Sequence, residues 1–237
     1  MRKILFLLSG LLMISGVFAQ NTLVVYYSYT NNVRSIVNEL SNHLDVDIVE
    51  ILPAEEGLRY EADNYAIGSA LISAIRDNPD DAESYPAIKP VDIDFSRYDN
   101  IIIATPLWWS NMAAPMQSFL FQNGDEMGGK NISLIVSSAS SGISSVVEDA
   151  KRLIPDGNFN NTSLWINNGN RASMPNLLNE WVVQSGLQNS SSTSVPQIEN
   201  DGKFDGAMYD MYGRKIDFCV KGQIFIQNGE KWMKTDK

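Results

Sequence analysis

An α/β fold with a parallel sheet is predicted by two features of this sequence. Apolar runs of strand length alternate with helical patterns through residues 22–187, giving five strand-helix repeats. The first strand, helix and strand fit within about 30 residues, which is the size of a right-handed βαβ unit. The 237 residues, 44% of them hydrophobic, suffice for one such domain with its own core and a smaller appendage.

Strands and helices are placed by their hydrophobic periodicity and by the residues that bound them. The strand-like runs cover residues 23–27, 47–52, 99–105, 131–136 and 162–166. The helical patterns cover residues 34–44, 65–75, 114–121, 143–154 and 174–187. The third and fourth runs are unbroken and rich in β-branched residues, which is typical of central strands buried on both faces.

Residues 54–98 have a looser pattern than the rest of this region. A helix is predicted within them, followed by an acidic passage that is interrupted by Pro86 and Pro90. Long irregular segments inside compact domains are uncommon and often functional. We therefore interpret residues 54–98 as an insertion that covers the domain between the second and third strands.

The N-terminal residues have the pattern of a secretory signal peptide. Arg2 and Lys3 precede an apolar run, and a small-x-small cleavage pattern ends at Ala19. The run is short and is interrupted by serine and glycine, so it does not predict a permanent membrane span. We expect residues 1–19 to be removed after Ala19. The mature chain is then exported, to the periplasm or out of the cell, with no stable span.

Charge and residue usage exclude several classes of function. The formal net charge of −10 opposes binding to nucleic acid and anionic membranes, and it would suit a basic redox partner in the envelope. One histidine, His43, and one cysteine, Cys219, are too few for most catalytic triads, most zinc sites or an intrachain disulfide. We therefore predict neither a catalytic side chain nor a metal site, and we expect His43 to be a surface or packing residue.

A polar loop follows the first strand and leads directly into the first helix. It contains Ser28, Thr30, Asn31 and Asn32, whose short side chains lie where the unpaired N–H groups of a helix N-terminus face outward. Such an N-terminus, with its positive dipole end, binds phosphate readily. The same residue types are also preferred helix caps. From this loop alone, a phosphate cradle and a simple helix cap are both open.

Two further loops follow the third and fourth strands. The second loop is Thr105, Pro106, Leu107, Trp108 and Trp109, and the third contains Ser138, Ala139, Ser140, Ser141 and Gly142. Open parallel sheets bind ligands beyond the carboxyl ends of their strands, where the winding direction reverses. The three loops would there supply a phosphate cradle, an aromatic wall and a backbone wall. That combination suits the phosphate and the flat isoalloxazine ring of flavin mononucleotide (FMN).

With these loops, residues 22–187 resemble the flavodoxin family. The run Ser28, Tyr29, Thr30, Asn31, Asn32 and Val33 is similar to the family's phosphate loop, and the other two loops are similar to its ring-flanking loops. Asn31 stands where the family has glycine, and Val33 stands where it has a threonine hydroxyl. The resemblance implies a flavodoxin-like five-stranded parallel sheet, in the order 2-1-3-4-5, with helices on both faces. It also implies FMN held without a covalent bond by these loops and used for electron or hydride transfer.

The last part of the chain is predicted to be a separate β appendage. Residues 188–198 are rich in serine and are predicted to be a linker. Residues 199–237 contain short strand-like runs and an Asn228-Gly229 pair, which is the strongest short signal for a hairpin. Residues 209–231 resemble the β tails of exported Bacteroidetes proteins, some of which are sorting domains, and this resemblance implies an envelope location.

The function expected from these observations is FMN-dependent redox chemistry by an exported protein, in electron transfer or in flavin-dependent reduction. FMN and an envelope redox protein are the expected partners, and nucleic acid is not. Two alternatives stay open. One is a non-catalytic binding module that keeps the fold and has lost FMN, and the other is an NAD(P)H-dependent quinone or nitro-compound reductase.

Overall fold

The computed structural model of the protein describes residues 21–58, 60, 62–187, 208–209, 215–216, 224–227 and 230–233. The predicted signal peptide, the predicted linker and Cys219 lie outside these residues. The chain divides into two compact units, Met1–Ser192 and Thr193–Lys237. Each unit is described by itself below.

The first unit alternates strands and helices, as the sequence predicts. Its strands are β1 (Thr22–Tyr26), β2 (Asp47–Glu50), β3 (Asn100–Trp108), β4 (Asn111–Met112), β5 (Asn131–Ser137), β6 (Asn158–Phe159) and β7 (Leu164–Ile166). Its helices are α1 (Asn32–Leu40), α2 (Ala62–Asp77), α3 (Ala114–Asn123), α4 (Ser144–Leu153) and α5 (Met174–Gln184). Short 3₁₀ turns lie at Ala82–Ser84, Phe95–Arg97, Gly124–Met127 and Arg171–Ser173.

The sheet is parallel along its main path, in the order β2-β1-β3-β5-β6. The predicted parallel α/β architecture is therefore confirmed. Two details differ from the prediction. The two-residue strand β4 folds back antiparallel on the end of β3, and the last position of the sheet is divided between β6 and β7, which both pair with β5.

Asn160 explains why the last strand is divided. Its side-chain oxygen accepts hydrogen bonds from the Thr162 N–H and hydroxyl at 3.1 and 3.0 Å, and its amide donates to the Ser185 carbonyl at 3.1 Å. An Asn side chain that bonds the backbone two residues on produces a turn. This turn separates β6 from β7.

The residues of β1 alternate between two hydrophobic cores, one on each face of the sheet. Leu23 and Val25, and Tyr27 directly after the strand, pack on the face covered by α2, α3 and α4. Val24 and Tyr26 pack on the opposite face, under α1 and α5. Successive side chains of a strand point to opposite faces of the sheet, so an unbroken apolar run is buried on both faces.

Two helices end earlier than their hydrophobic patterns predict. Helix α1 ends at Leu40 rather than at residue 44, because the following N–H groups form tight turn bonds, such as that of Asn42 to the Glu39 carbonyl at 3.0 Å. Helix α5 ends at Gln184 rather than at residue 187, where Gly186 adopts a φ of 66°. A glycine in this left-handed conformation is a common helix terminator.

The helix predicted within residues 54–98 is present, and it is longer than the pattern at residues 65–75 indicates. The segment contains α2, which is 16 residues long and is the crossover helix between β2 and β3. Its irregular second half is anchored in the core by Tyr85, Phe95 and Tyr98, each less than 10% exposed. These aromatic side chains stabilise a passage that has little secondary structure, and hydrophobic periodicity does not detect such anchors.

The second unit contains a four-stranded antiparallel sheet in the order β11-β10-β8-β9. Its strands are β8 (Met208–Tyr209), β9 (Lys215–Ile216), β10 (Ile224–Gln227) and β11 (Glu230–Met233). The predicted hairpin is present as the β10–β11 pair, in which Gln227 lies opposite Glu230. The sheet is larger than that hairpin, because β8 and β9 extend it on the other side of β10.

Candidate functional site

The three loops singled out from the sequence leave neighbouring strands at one edge of the sheet. In the parallel register Tyr26 of β1 lies beside Ala104 of β3, and Pro106 of β3 lies beside Ser137 of β5. The loops therefore begin side by side at the carboxyl ends of the strands, which is where an open parallel sheet binds ligands.

The first loop leaves the N-terminus of α1 open. Asn31, the residue before the helix, has φ 61° and ψ 4°, and its side chain makes no capping hydrogen bond. Ser28 caps in part, because its hydroxyl accepts the Arg34 N–H at 3.2 Å. Among the described residues, the N–H groups of Asn32 and Val33 have no acceptor. These two donors and the positive end of the helix dipole could bind an anion.

The residues of this loop contribute differently. Thr30, Asn31 and Asn32 are exposed, whereas Ser28 and Tyr29 are partly buried. Val33, in the first turn of α1, is 1% exposed and its side chain packs in the core, so only its backbone N–H can take part in binding. The threonine hydroxyl that Val33 replaces therefore has no side-chain substitute at that position.

Arg34 adds a positive charge beside the loop, and sequence reasoning missed it. Its guanidinium donates to the Asn31 side-chain oxygen and to the Tyr26 hydroxyl, and it pairs with the Glu50 carboxylate. Hydrogen bonding to Tyr26 and Glu50 raises the pKa of Arg34. A basic residue in the first turn of a helix opposes the helix dipole, and that conflict is a signal the sequence did contain.

The second loop is a tight hairpin formed by β3 and β4. Trp108 pairs with Asn111, which leaves Trp109 and Ser110 as the two turn residues, with φ of 44° and 67°. Positive φ at both central residues matches the type I′ turns that favour Asn and Gly. Tryptophan at such a position is strained. The turn holds the Trp109 side chain at the surface, where it is 46% exposed.

An aromatic cleft of about 210 Å³ lies between this hairpin, the first loop and the start of α2. It is lined by Tyr29, Tyr60, Tyr65, Leu107, Trp108 and Trp109. The Trp108 ring forms its inner wall, with ring centroids 4.9 Å from Tyr60 and 6.1 Å from Tyr29. The structure thus brings together residues of the first two predicted loops.

Two lining residues of the aromatic cleft, Tyr60 and Tyr65, come from the 54–98 segment and were not predicted. Tyr60 is 3% exposed, and its hydroxyl has no hydrogen-bond partner in the part of the chain that the structure describes. Burial, and secondarily the nearby Glu55 charge, raises the pKa of Tyr60 to about 12. Tyr65 is exposed, with a φ of 66° in the first turn of α2. Aromatic residues within an irregular segment are the signal that could have found both.

Helix α2 also meets the hairpin at Gly68. A Cβ atom at this position would lie 2.9 and 3.0 Å from the Cζ3 and Cη2 atoms of Trp109. Any larger residue would therefore displace the indole. The glycine allows the Trp109 ring to lie directly on the helix.

The third loop lies at the same edge but does not line the aromatic cleft. The Ser138 hydroxyl donates to the Ser141 carbonyl at 2.8 Å and accepts from the Trp165 indole at 2.8 Å. The Asn168 N–H donates to the Ala139 carbonyl at 3.1 Å. Ala139, Ser140, Ser141 and Gly142 are exposed. A Cβ at Gly142 would meet no atom within 4 Å, so the fold itself does not require glycine there.

Several other singled-out residues have structural roles. Thr105 is fully buried, and its hydroxyl donates to the Pro106 carbonyl at 3.1 Å. His43 lies in the turn after α1 and contacts Glu39 at 3.2 Å, as expected of a surface or packing residue. Within the described ranges, no group of three or more His, Cys, Asp or Glu residues could hold a metal ion, and no helix is long and apolar enough to cross a membrane.

A polar network fixes the hairpin from behind. The Asp149 carboxylate of α4 accepts hydrogen bonds from the Met112 N–H at 2.9 Å and from the Asn111 amide at 3.3 Å. Arg152 approaches the same carboxylate at 3.7 Å and donates to the Gln117 side chain at 3.0 Å. Asp149 is therefore the direct link between α4 and the strand that follows the tryptophans.

Comparison with known proteins gives one family and a set of similar folds. The model of a family described as flavodoxin matches residues 21–185. A candidate flavoprotein from Bacteroides eggerthii DSM 20697 superposes with a TM-score of 0.58 at 21% identity, over 71% of this chain and 99% of that one. A candidate flavoprotein from Bacteroides uniformis ATCC 8492 gives 0.56 at 23% identity, over 70% and 99%.

A third solved structure is a flavoprotein from Lactobacillus acidophilus NCFM in complex with FMN. It superposes with a TM-score of 0.52 at 21% identity, over 66% of this chain and 99% of that one. No curated protein sequence matches the chain. At sequence identities of 21–23%, the similarity to these solved structures shows the fold of this chain and nothing further.

Proposed function

Because the chain belongs to the flavodoxin family, we propose that it binds FMN without a covalent bond and uses it in electron transfer or flavin-dependent reduction. The observation that carries this proposal is the junction of an open helix N-terminus with the aromatic cleft. Tyr29 belongs to the first loop and also lines the cleft, so an anion site and a ring site adjoin each other. FMN likewise consists of a phosphate linked to a flat ring system, so its two ends match the two sites.

The residues present fit the two ends of FMN. The N–H groups of Asn32 and Val33 and the side chains of Thr30 and Asn31 would hold the phosphate, and the Arg34 guanidinium, which is paired with Glu50, lies beside them. Hydrogen bonds to a charged phosphate are stronger than those between neutral groups. The aromatic cleft, together with the backbone near Gly142, would hold the ring.

FMN supplies the redox chemistry when it is bound, and the chain supplies position and environment. The aromatic walls exclude water and orient a flat ring, and the exposed Trp109 lies at the rim, where a redox partner or substrate would approach. This function requires neither a general acid nor a nucleophile from the protein. FMN binding is also supported by the Lactobacillus acidophilus flavoprotein, which was solved with FMN.

The proposal is tested by purifying the full chain and recording its visible spectrum after incubation with FMN and removal of the excess. We expect a flavin absorption band that stays with the protein, and saturable quenching of FMN fluorescence. A colourless protein with no saturable quenching would contradict FMN binding and would favour a module that has lost the cofactor. Oxidation of NAD(P)H by the loaded protein, with a quinone or nitro compound as acceptor, separates a reductase from an electron carrier.

We further propose that the chain is exported and meets a basic redox protein in the envelope. The charged and apolar N-terminal pattern supports export, and the family match begins at residue 21, just beyond the expected cleavage after Ala19. The net charge of −10 suits a basic partner. N-terminal sequencing of the protein from an envelope fraction tests export. Gln20 is the expected first residue, and an intact Met1 would contradict the proposal.

A further inference from the structure

A second cavity, of about 530 Å³, lies in the first unit at the opposite edge of the sheet from the three loops. It is lined by residues at the amino ends of β3 and β5, by residues 158–160, and by residues 185–187, which follow α5. Its volume falls within the roughly 300–1,000 Å³ of small-molecule sites. This polar cavity shares no lining residue with the aromatic cleft, so it is a separate site.

Ser133 is a buried polar residue where the polar cavity reaches the sheet. It is the third residue of β5, lies beside Ile102 of β3 in the register, and is 2% exposed. Strands buried on both faces usually carry apolar side chains at such positions. The Ser133 side chain points to the same face as that of Ile135, which packs in the core under α1 and α5. A hydroxyl therefore takes the place of an apolar core side chain.

The Ser133 hydroxyl has no hydrogen-bond partner among the residues that the structure describes. It differs from the Tyr60 hydroxyl, which is unpaired and also inaccessible, because it keeps accessible surface. Ser133 lines the polar cavity, so that surface faces the cavity. Buried polar groups are nearly always hydrogen-bonded, to the protein or to a bound molecule. The partner of Ser133 therefore comes from the contents of the cavity.

Two asparagine side chains of the same cavity present unpaired acceptors. The Asn131 amide donates to the Asn100 side-chain oxygen at 3.0 Å, and the Asn158 amide donates to the Gly129 carbonyl at 2.8 Å. Within the described ranges, the side-chain oxygens of Asn131 and Asn158 accept no hydrogen bond. The described residues that line the cavity include no charged side chain. These groups suit an uncharged ligand that both donates and accepts hydrogen bonds at several points, as a set of hydroxyl groups does.

We propose that the polar cavity binds a small neutral sugar, whose hydroxyl groups bond to the Ser133 hydroxyl and to the side-chain oxygens of Asn131 and Asn158. The walls are held in place by the protein itself. The Asn160 amide donates to the Ser185 carbonyl at 3.1 Å, which ties the segment after β6 to the end of α5. This site goes beyond the proposed function and does not depend on FMN binding.

The matched pair of variants is Ser133→Ala and Ser118→Ala. Ser118 is also a buried serine, but its hydroxyl bonds to the Pro86 carbonyl at 2.7 Å, and it does not line the polar cavity. Without ligand, Ser133→Ala removes an unpaired hydroxyl, so its melting temperature should equal or exceed that of the wild type. Ser118→Ala removes a satisfied hydrogen bond, so its melting temperature should fall.

The binding experiment titrates the wild-type full chain and both variants with D-glucose, D-galactose, D-mannose and N-acetyl-D-glucosamine by isothermal calorimetry. We expect saturable binding of at least one of these sugars by the wild type at millimolar concentrations. Ser133→Ala should bind that sugar at least fivefold more weakly, and Ser118→Ala should bind it within twofold of the wild type. D-glucuronate should bind more weakly than the best neutral sugar, because no positive charge among the described lining residues pairs with its carboxylate.

Three results would overturn the inference. They are the absence of saturable binding of all four neutral sugars, equal sugar affinities of the wild type and Ser133→Ala, and tighter binding of D-glucuronate than of any neutral sugar. FMN titration of the same preparations separates this inference from the proposed function. Ser133→Ala should leave any FMN affinity within twofold of the wild type, and a wild type that binds a sugar but not FMN would leave the sugar site standing while the proposed function fails.

Discussion

At the scale of single residues, backbone strain gathers around the candidate site. Within the described residues, the non-glycine residues with positive φ are Asn31, Tyr65, Trp109 and Ser110. Asn31 belongs to the open loop before α1, and the other three lie in the tryptophan turn or at the cleft. Such conformations cost of order 1–3 kcal/mol each and persist where the surrounding structure imposes them, often at ligand sites.

Asn31 gives a direct test of this strain. Asn31→Gly should keep the free energy of unfolding close to that of the wild type, because glycine adopts a φ of 61° without a Cβ clash. Asn31→Ala should lower the free energy of unfolding by about 1 kcal/mol, because alanine adopts the left-handed backbone conformation less readily than asparagine does. Urea unfolding of both variants measures the difference. Equal stabilities would mean that the loop relaxes out of the left-handed conformation.

Gly142 gives a second test at this scale. The open space around its Cβ position predicts that Gly142→Ala changes the free energy of unfolding by less than about 0.5 kcal/mol. If the ring of FMN lies against this backbone, the added methyl group should weaken FMN binding roughly tenfold. Thermal unfolding and FMN titration of one preparation provide both readings. Unchanged FMN affinity would exclude close contact between the ring and Gly142.

At the scale of elements, the tryptophan hairpin depends on α4 behind it. The Asp149 carboxylate, 12% exposed, holds the Met112 N–H and the Asn111 amide of β4. The Gly68 backbone of α2 lets Trp109 pack closely on its other side. The strained turn is therefore fixed between two helices.

Removing the carboxylate should loosen this hairpin. Asp149→Ala leaves the Met112 N–H and the Arg152 guanidinium without that partner, so we expect a loss of about 1–3 kcal/mol in the free energy of unfolding and weaker FMN binding. The control is Glu148→Ala, one residue away and exposed, which should stay within about 0.5 kcal/mol of the wild type. If Asp149→Ala were as stable as Glu148→Ala, the network would not support the hairpin.

Strands and helices with a clear pattern of hydrophobic residues were predictable from the sequence. Segments whose structure depends on single side chains were not. The runs that became β3 and β5 are unbroken and apolar, so their burial follows from composition. By contrast, β4 consists of two residues whose pairing depends on a turn with an unusual tryptophan conformation. The order of residues 78–98 depends on separate aromatic anchors, which have no period.

At the candidate site, the sequence predicted that the three loops leave the same edge of the sheet, because strand order determines which strand ends are neighbours. Residues of the first two loops line the aromatic cleft, and those of the third do not. The sequence did not predict that Tyr60 and Tyr65, from the 54–98 segment, or Arg34, from helix α1, would lie at the site. Tyr60 and Tyr65 lie beyond β2, and only the path of the chain into α2 brings them against Trp108 and Trp109. Contacts of this kind arise from tertiary packing.

At the scale of the whole molecule, the candidate site lies within the first of two compact units. The family match covers residues 21–185, and the second unit spans Thr193–Lys237. A chain that stops at Ser192 should therefore fold and bind FMN within about twofold of the full chain, since every proposed binding residue is retained. Loss of FMN binding in the truncated chain, with its helical circular dichroism intact, would contradict this assignment.

The central claim is that the open loop binds the phosphate of FMN and the aromatic cleft binds its ring. It is tested most directly by comparing FMN with riboflavin, which has the same ring and no phosphate. One calorimetric titration series on the wild-type chain gives both affinities. FMN should bind saturably and at least tenfold more tightly, a difference of about 1.4 kcal/mol, because the N–H groups at the start of α1 bind its phosphate. Equal affinities for FMN and riboflavin, or no saturable binding of FMN, would contradict the account.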